Sequence, residues 1–166
     1  MNERVGVLRL NGEFSLIAAA TAEPGEVLFR LEGQTTVTAT RYSVQIGETC
    51  HIDLSDDLGP DAILDTYYWR FMNHHCEPTV AIRGRDVYAI CRIEKWQEIT
   101  FNYNTTEFDM AEPFVCRCGS LNCRGDIRGW RWLSAEEKDR LAPLAAPYLF
   151  IQDQQEQNGF DSDAKS

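Results

Sequence analysis

The 166-residue sequence lacks a hydrophobic run that could cross a membrane. A transmembrane helix needs roughly 20 consecutive apolar residues, and no stretch of the chain supplies them. The opening residues, MNERVGVLRLNGEF, also lack a basic region followed by an apolar stretch, which is the pattern of a secretory signal. These absences predict a cytoplasmic protein if the source is bacterial, or a nuclear or cytosolic one if it is eukaryotic.

Positive charge is scarce as well. The chain has 16 Lys and Arg against 26 Asp and Glu, a net charge of −10. Because binding to phosphates needs a basic surface, direct contact with nucleic acid is not expected. The same charge favours encounters with a basic protein or peptide, although it is equally compatible with a surface that only keeps the protein soluble. Nothing in the sequence indicates an oligomeric state.

Cysteine, in contrast, is well represented, at positions 50, 76, 91, 116, 118 and 123. In an intracellular chain, such a set is more typical of metal binding or catalysis than of disulfides. The segment CRCGSLNC places three thiols within eight residues, and they can converge on one ion. Tetrahedral zinc takes four nitrogen or sulfur ligands. The spacing leaves the fourth ligand open among Cys50, Cys76, Cys91 and a histidine.

Apolar patterns and turn residues predict a single, mainly β domain with short helices. Strand composition occurs at residues 5–10, 26–31, 35–38, 42–46 and 50–54, then at 79–83, 87–93 and 98–103. A short helical pattern covers 61–70. A capping box at Ser134–Glu137 begins a second helix, which Pro143 should end or kink. The polar segment 152–166 has the composition of a disordered tail.

The segment RFMNHHCEPT, residues 70–79, concentrates Asn73, His74, His75, Cys76 and Pro78. Its composition alone is compatible with a metal site, with a nucleophile and its base, or with a backbone turn around a small molecule.

Three segments together resemble the SET-domain family of protein-lysine methyltransferases. RFMNHHCEPT resembles the NHxCxPN signature, EITFNY the ELTFDY strand, and CRCGSLNCRG the cysteine-rich post-SET segment. The resemblance covers most of residues 4–130, and it implies several small curved sheets with a pseudoknot. The implied organisation is a SET domain at 1–110, a post-SET zinc segment at 111–130, a C-terminal helical segment at 131–151 and the disordered tail at 152–166.

The resemblance implies methyl transfer from S-adenosyl-L-methionine to a lysine of a basic peptide such as a histone-like tail. Tyr103 matches the catalytic tyrosine. Phe101, two residues earlier and on the same face of the strand, matches the position that governs how many methyl groups are added. Phenylalanine there predicts di- or trimethylation. The implied cofactor contacts are Phe14 at the position of a family GxG motif, Arg70, Phe71, Asn73, the backbone of His74, and Ile127 and Trp130 as an apolar lid.

In the family, the signature cysteine completes a structural zinc site, so the resemblance assigns Cys76, Cys116, Cys118 and Cys123 to Zn²⁺. Four thiolates close the coordination sphere, which makes such a site structural and not catalytic. Ile127 and Trp130 could instead belong to the core of the C-terminal segment. His75 receives no role from the resemblance.

Two other functions remain open from the sequence. An inactive SET-fold module that binds zinc and a partner is favoured by the loss of the GxG glycines and by the departures at His75 and Thr79. A hydrolase could use Cys76 with His74 or His75. Residues so close in sequence rarely present nucleophile and base to each other, however, and a zinc-bound thiolate is not free to react.

Overall fold

Twelve short strands and three helices make up the part of the chain described by the computed structural model, which covers residues 2–163, with side chains through residue 159. The strands are β1 Val5–Leu10, β2 Glu13–Ala18, β3 Val27–Arg30, β4 Gln34–Thr36, β5 Val44–Gly47, β6 Cys50–Asp53, β7 Asn73–His74, β8 Val80–Arg83, β9 Asp86–Ala89, β10 Thr100–Phe101, β11 Phe114–Val115 and β12 Asp126–Ile127. The helices are α1 Pro60–Asp65, α2 Ala135–Leu141 and α3 Pro147–Asp163, with 3₁₀ turns at Tyr68–Phe71, Tyr103–Thr105 and Trp130–Trp132.

The strands form small separate sheets, which confirms the mainly β architecture. Two of them have three strands each, in the orders β3-β9-β8 and β4-β6-β5. Antiparallel pairs join β1 to β2 and β11 to β12, while β7 and β10 pair in parallel. One hydrophobic core fills the space between the sheets, and a second lies under α2 and α3. No helix within residues 2–163 is long and apolar enough to cross a bilayer.

The hairpin of β1 and β2 closes through a two-residue turn. Leu10 pairs with Glu13, so Asn11 and Gly12 form the whole loop, with φ of 52° and 88°. Two positive φ values are typical of a type I′ turn, in which Asn-Gly is strongly favoured. The strand composition predicted no element in the whole of β2, Glu13–Ala18. The Asn-Gly pair is the signal that predicts this hairpin.

Several predicted elements are shorter in the structure, among them the strand predicted at 87–93, of which β9 keeps only the part up to Ala89. The helical pattern at 61–70 divides into α1, which ends at Asp65, and the 3₁₀ turn Tyr68–Phe71. The predicted strand at 98–103 keeps only Thr100–Phe101 as strand, and Tyr103 begins a 3₁₀ turn in which the Asn102 side chain accepts a hydrogen bond from the backbone N–H of Asn104. Such a side-chain bond competes with the sheet ladder and ends the strand.

The predicted disorder of residues 152–166 is not what the structure has, because α3 continues through Asp163. Its polar side chains have specific partners: Asp153 lies 2.7 Å from the Lys138 ammonium and accepts the Trp130 indole N–H at 3.0 Å. Gln152 donates to the Glu48 carbonyl at 3.1 Å. Composition cannot reveal these pairings. Residues 164–166 of the predicted tail lie outside the described residues.

Leu149 anchors α3 in the second core and has no exposed surface, whereas Ile151 is 45% exposed. Replacing Leu149 with Ala should lower the free energy of unfolding by about 2–5 kcal/mol, because the change removes buried methyl groups and leaves a cavity. Ile151→Ala is the matched control, expected to cost less than about 1 kcal/mol. Urea unfolding measures both, and equal losses would mean that α3 is not held by this contact.

Candidate active site and metal centre

The parallel pairing of β7 with β10 brings the signature segment next to the strand that precedes Tyr103. His74 is in register with Phe101, and the His75 N–H donates to the Phe101 carbonyl at 3.1 Å. Thr79, which stands where the family has asparagine, accepts the Thr100 N–H on Oγ1 at 3.0 Å. These bonds fix two segments that are far apart in sequence, and Thr79 therefore has a structural role in the pairing.

Tyr103 lies at the centre of an aromatic cluster. Its ring centroid is 4.6 Å from that of Phe101, 5.2 Å from the His74 ring and 5.9 Å from that of Phe114. The hydroxyl donates to the Met72 carbonyl at 2.8 Å. Burial, with the charges of Glu107 and Glu98, raises the pKa of Tyr103 well above its usual range. The side chain therefore stays a neutral phenol, which can orient a polar group but does not act as a base.

His74 connects Tyr103 to the cysteine cluster. Its Nδ1 accepts the Tyr103 backbone N–H at 3.1 Å, and its Nε2 lies 3.3 Å from the Cys76 sulfur. Burial, followed by the neighbouring His75, lowers the pKa of His74 to about 4, so the imidazole is neutral. Because Nδ1 is an acceptor, the hydrogen bonds assign the single ring proton of His74 to Nε2. The Nε2–H group then faces the Cys76 sulfur.

Four sulfur atoms, those of Cys76, Cys116, Cys118 and Cys123, lie within 4.8 Å of one another. Among residues 2–159 this group includes neither Cys50 nor Cys91, so the structure brings Cys76 to the CxCx4C trio. Thiolates held at roughly 2.3 Å from a tetrahedral zinc ion stand roughly 3.8 Å apart. A small movement of the four sulfur atoms towards one another would therefore give the zinc geometry. The Cys76 and Cys116 sulfurs are already 3.9 Å apart.

Four thiols are a donor set that zinc accepts, and burial disfavours the charged form of two of them. Burial raises the pKa of Cys76 to about 12 and that of Cys116 to about 11. With no cation, both would remain protonated near neutral pH. A bound metal ion deprotonates its ligand thiols and reverses this preference.

The loop that carries the last three cysteines is tied to its surroundings by two acidic side chains. Glu77, directly after Cys76, accepts from the Ser120 hydroxyl at 2.7 Å and from the Asn122 amide at 3.0 Å. Arg124 pairs with Glu137 of the α2 capping box at 2.9 Å. The loop is therefore fastened to the signature segment on one side and to α2 on the other.

His75 acquires a role that the sequence did not indicate. Its Nδ1 accepts the Glu77 backbone N–H at 3.0 Å, so the side chain caps the turn between Cys76 and Pro78. A local side-chain acceptor two residues before an N–H is a common way to stabilise a turn. His75 is therefore a structural residue of this turn.

An open groove of about 630 Å³ runs between the signature segment and the cysteine loop. Its volume lies within the ~300–1,000 Å³ of ligand pockets. The side chains along it are Arg70, Asn73, His74, Tyr103, Phe114 and Val115, among others. A neighbouring, more apolar groove of about 530 Å³ shares Arg70 and Asn73 and adds Phe14, Ile63, Leu64 and Phe71.

Five of the predicted cofactor residues thus surround the two grooves: Phe14, Arg70, Phe71, Asn73 and His74. The Phe14 and Phe71 rings are 4.9 Å apart. The Asn73 amide donates to the Phe14 carbonyl at 3.0 Å and to Glu98 at 2.9 Å. Arg70 stacks on Tyr42, with its guanidinium carbon 4.1 Å from the ring centroid.

The predicted lid residues lie elsewhere. Ile127 is fully buried and Trp130 is 1% exposed, and neither lines either of these two grooves. Trp130 belongs to the second core, where its ring meets that of Phe150 at 5.2 Å. The lid prediction is therefore wrong in this structure, and for Trp130 the alternative, the core of the C-terminal segment, is confirmed. Phe114 and Val115 provide the apolar surface instead, and only their place before the CxC motif could have indicated it.

A third, narrower cavity of about 60 Å³ lies behind Tyr103. It is several times the ~15 Å³ that one water molecule needs. Its wall includes Trp69, Met72, Phe101, Tyr103 and Glu107. Tyr103 borders both this cavity and the 630 Å³ groove.

Comparison with known sequences gives a consistent family. The family model described as SET domain matches residues 13–104, more than half of the chain. "Methyltransferase flvH" of Aspergillus flavus is 33% identical over 119 residues, which are 62% of this chain and 60% of that protein. "Histone-lysine N-methyltransferase ash1" of Drosophila melanogaster is 34% identical over 85 residues, 46% of this chain and 4% of that protein. The chain thus spans under two thirds of the first relative and a small part of the second.

Solved structures have the same fold. KRYPTONITE in complex with DNA, an H3(1-15) peptide and SAH superposes with a TM-score of 0.53 and 22% identity, over 74% of this chain and 29% of that one. SUVH6 of Arabidopsis thaliana in complex with SAM gives a TM-score of 0.55 and 15% identity, over 74% and 33%. At such identities, the likeness supports the arrangement of the small sheets and nothing finer.

Proposed function

The chain belongs to the SET-domain family, and on that premise we propose that it is a protein-lysine N-methyltransferase that uses S-adenosyl-L-methionine. One observation carries the proposal: Tyr103 borders both a groove of cofactor size and a narrow cavity. A methyl donor in the groove and a lysine side chain in the cavity would meet at its hydroxyl.

The residues for the donor are those around the two grooves. Arg70 offers a cation for a carboxylate, Asn73 offers an amide, and Phe14 and Phe71 offer apolar contact. Both of the solved structures compared above were determined with SAH or SAM. When bound, the donor would supply a methyl group on a cationic sulfonium.

The chain's own part in the reaction is mainly positioning, because an in-line displacement at a methyl group needs aligned reactants more than acid–base chemistry at that carbon. The neutral Tyr103 hydroxyl would orient the amine and the methyl group. Backbone carbonyls near the methyl group would add weak C–H···O contacts. The apolar wall formed by Phe101 and Trp69 would favour the neutral form of the lysine amine.

We also propose that Cys76, Cys116, Cys118 and Cys123 bind one structural zinc ion. Four thiolates leave no open position for substrate. The ion would hold the cysteine loop, and with it Phe114 and Val115, along the groove next to Tyr103. A basic protein or peptide such as a histone-like tail is the proposed substrate, in keeping with the net charge of −10.

Calorimetry with S-adenosyl-L-methionine tests the proposal against the alternative of an inactive SET-fold module. The enzyme should bind the methyl donor stoichiometrically, with ATP as an adenine-containing control that does not compete. A module that keeps only the fold and the zinc would show no heat of binding with the donor, and that result would refute the enzyme.

Phe101 is buried, 4% exposed, in the wall of the narrow cavity. We expect the wild type to give di- or trimethyl-lysine and Phe101→Tyr to give mainly monomethyl-lysine. The added hydroxyl would fill space in the cavity and bond the amine. Mass spectrometry of the product measures the change, with Phe150→Tyr, outside the cavity, as the control. Only monomethyl product from the wild type would show that the prediction is wrong.

A further inference from the structure

Glu107 is a buried carboxyl in the wall of the narrow cavity, next to Phe101 and Tyr103. Its side chain keeps only 10% of its surface exposed. Acidic side chains are rarely buried so deeply without a partner cation, because removing the carboxylate from water is costly. A carboxyl group buried beside Trp69, Phe101 and Tyr103 therefore calls for a specific explanation.

The two carboxyl oxygens of Glu107 have different surroundings. Oε1 accepts the Gln45 backbone N–H at 2.8 Å and the Thr106 hydroxyl at 3.3 Å. Oε2 accepts no hydrogen bond from the side chains of residues 2–159. The ionisable side chain that faces it is His51, whose Nε2 lies 4.0 Å away. One oxygen is thus anchored by the fold, while the other accepts no side-chain hydrogen bond within residues 2–159.

Among the described residues, no Lys or Arg side chain forms an ion pair with Glu107. The groups that face it are His51 from β6, Tyr103 from its 3₁₀ turn and Tyr148 from α3. Burial lowers the pKa of His51, although the negative charge of Asp53 acts to raise it.

Three other charged side chains, those of Arg41, Arg70 and Glu112, also line the cavity, but they interact with residues other than Glu107. Arg41 pairs with Glu112 at 3.7 Å, and Arg70 stacks on Tyr42. Burial accordingly raises the pKa of Glu107 to about 7, although the two hydrogen bonds to Oε1 act to lower it. The carboxyl can therefore exchange a proton near neutral pH.

We propose that Glu107 is the base that takes the proton from the lysine ammonium in the narrow cavity. This inference rests on the proposed methyltransferase function. The Nζ–H bond breaks, the proton forms an O–H bond at Oε2, and the electron pair stays on nitrogen. Two opposite charges disappear from a desolvated site.

The nitrogen lone pair then forms the bond to the sulfonium methyl, and the carbon–sulfur electron pair goes to sulfur. The product is a methylated ammonium. Glu107 returns its proton to water when the cavity opens again, so protons balance over the cycle.

Glu107→Gln separates this role from a structural one. Glutamine keeps the shape of the side chain and an acceptor for Gln45 and Thr106, but it cannot take a proton at neutral pH. Tyr148→Phe is the matched control: the Tyr148 hydroxyl donates to the carbonyls of Gln45 and Thr106 in the same packing, and the residue does not line the cavity.

The test is the initial rate of methyl transfer from tritiated S-adenosyl-L-methionine to mixed core histones between pH 6 and 10. The wild-type rate should rise through about pH 7 and then level off. Glu107→Gln should be about 10²-fold slower at pH 7.5, as for loss of a general base. The rate of this variant should keep rising as the pH approaches the lysine pKa of about 10.4, so its difference from the wild-type rate becomes smaller at high pH. Tyr148→Phe should keep the wild-type profile. A deficit that is constant with pH, or no deficit, would overturn the proposal.

A binding measurement gives a readout that does not depend on transfer. With SAH present, n-hexylamine at pH 8 should shift the NMR signals of Phe101 and Tyr103, and Glu107→Gln should weaken its affinity at least tenfold. The uncharged n-hexanol should bind both forms alike. Equal amine affinities would contradict the role of Glu107. Amine selectivity without transfer in the wild type would instead refute the proposed reaction and support Glu107 as the acceptor for an amine.

Discussion

Tyr103→Phe is expected to lower the rate of methyl transfer by about 10²–10³-fold, the range seen when one preorganised hydrogen-bonding group is removed from an active site. Tyr103 lines both the groove and the narrow cavity, and its hydroxyl is the group proposed to orient the amine and the methyl group. In the structure it bonds the Met72 carbonyl at 2.8 Å, so its position is fixed before any ligand arrives. Tritium transfer to mixed core histones, with saturating methyl donor, measures the loss.

The control for Tyr103 is Tyr88→Phe. The Tyr88 hydroxyl accepts from the Arg83 side chain at 3.1 Å and lies away from the grooves. This variant should transfer methyl groups at the wild-type rate. Both variants should unfold near the wild-type temperature. Equal label from Tyr103→Phe and wild type would refute the role of the hydroxyl.

Cys76→Ser is expected to abolish stoichiometric zinc and, with it, most of the methyl transfer. Structural zinc binding and folding of the loop are coupled, so loss of one thiolate releases the segment between Phe114 and Ile127. His74, which contacts both the Cys76 sulfur and the Tyr103 N–H, would lose one of its two partners. Zinc per protein after dialysis against a chelator measures the first effect, and tritium transfer the second.

Cys91→Ser is the matched control for the metal, because Cys91 is exposed and outside the four-thiol group. It should keep one zinc ion per chain. The same samples test the Cys/His hydrolase, since zinc should protect Cys76 from alkylation. Full zinc content in Cys76→Ser, or rapid alkylation of Cys76 in the zinc-loaded protein, would show that the proposed site is wrong.

Local chemistry explains which parts of this fold could be predicted. Short strands separated by Gly and Pro predict small sheets, and the segments around Asn73, Tyr103 and Cys116 predict the family. The parallel pairing of β7 with β10 is different, because it joins residues 27 positions apart, Asn73 and Thr100. No local pattern encodes that contact, and only the family resemblance suggested that the two segments meet.

The lid error and the missed helix have one cause. An apolar residue faces a groove or a core according to what else is available to cover it, and Trp130 is covered by α3. Because the composition of residues 152–166 suggested disorder, Trp130 had no predicted partner. Its indole N–H in fact donates to Asp153, a polar residue of that segment. Glu107 escaped notice for a related reason, since a lone glutamate is ordinarily a surface residue.

The most direct test of the account is mass spectrometry of mixed core histones after incubation with the protein and S-adenosyl-L-methionine that carries a trideuterated methyl group. We predict trideuteromethyl groups on lysine Nε with the wild type, mostly as di- or trimethyl-lysine, and nearly none with Tyr103→Phe. If the zinc-loaded protein binds the methyl donor but no lysine gains a deuterated methyl group on any histone or other basic protein tested, the account is contradicted.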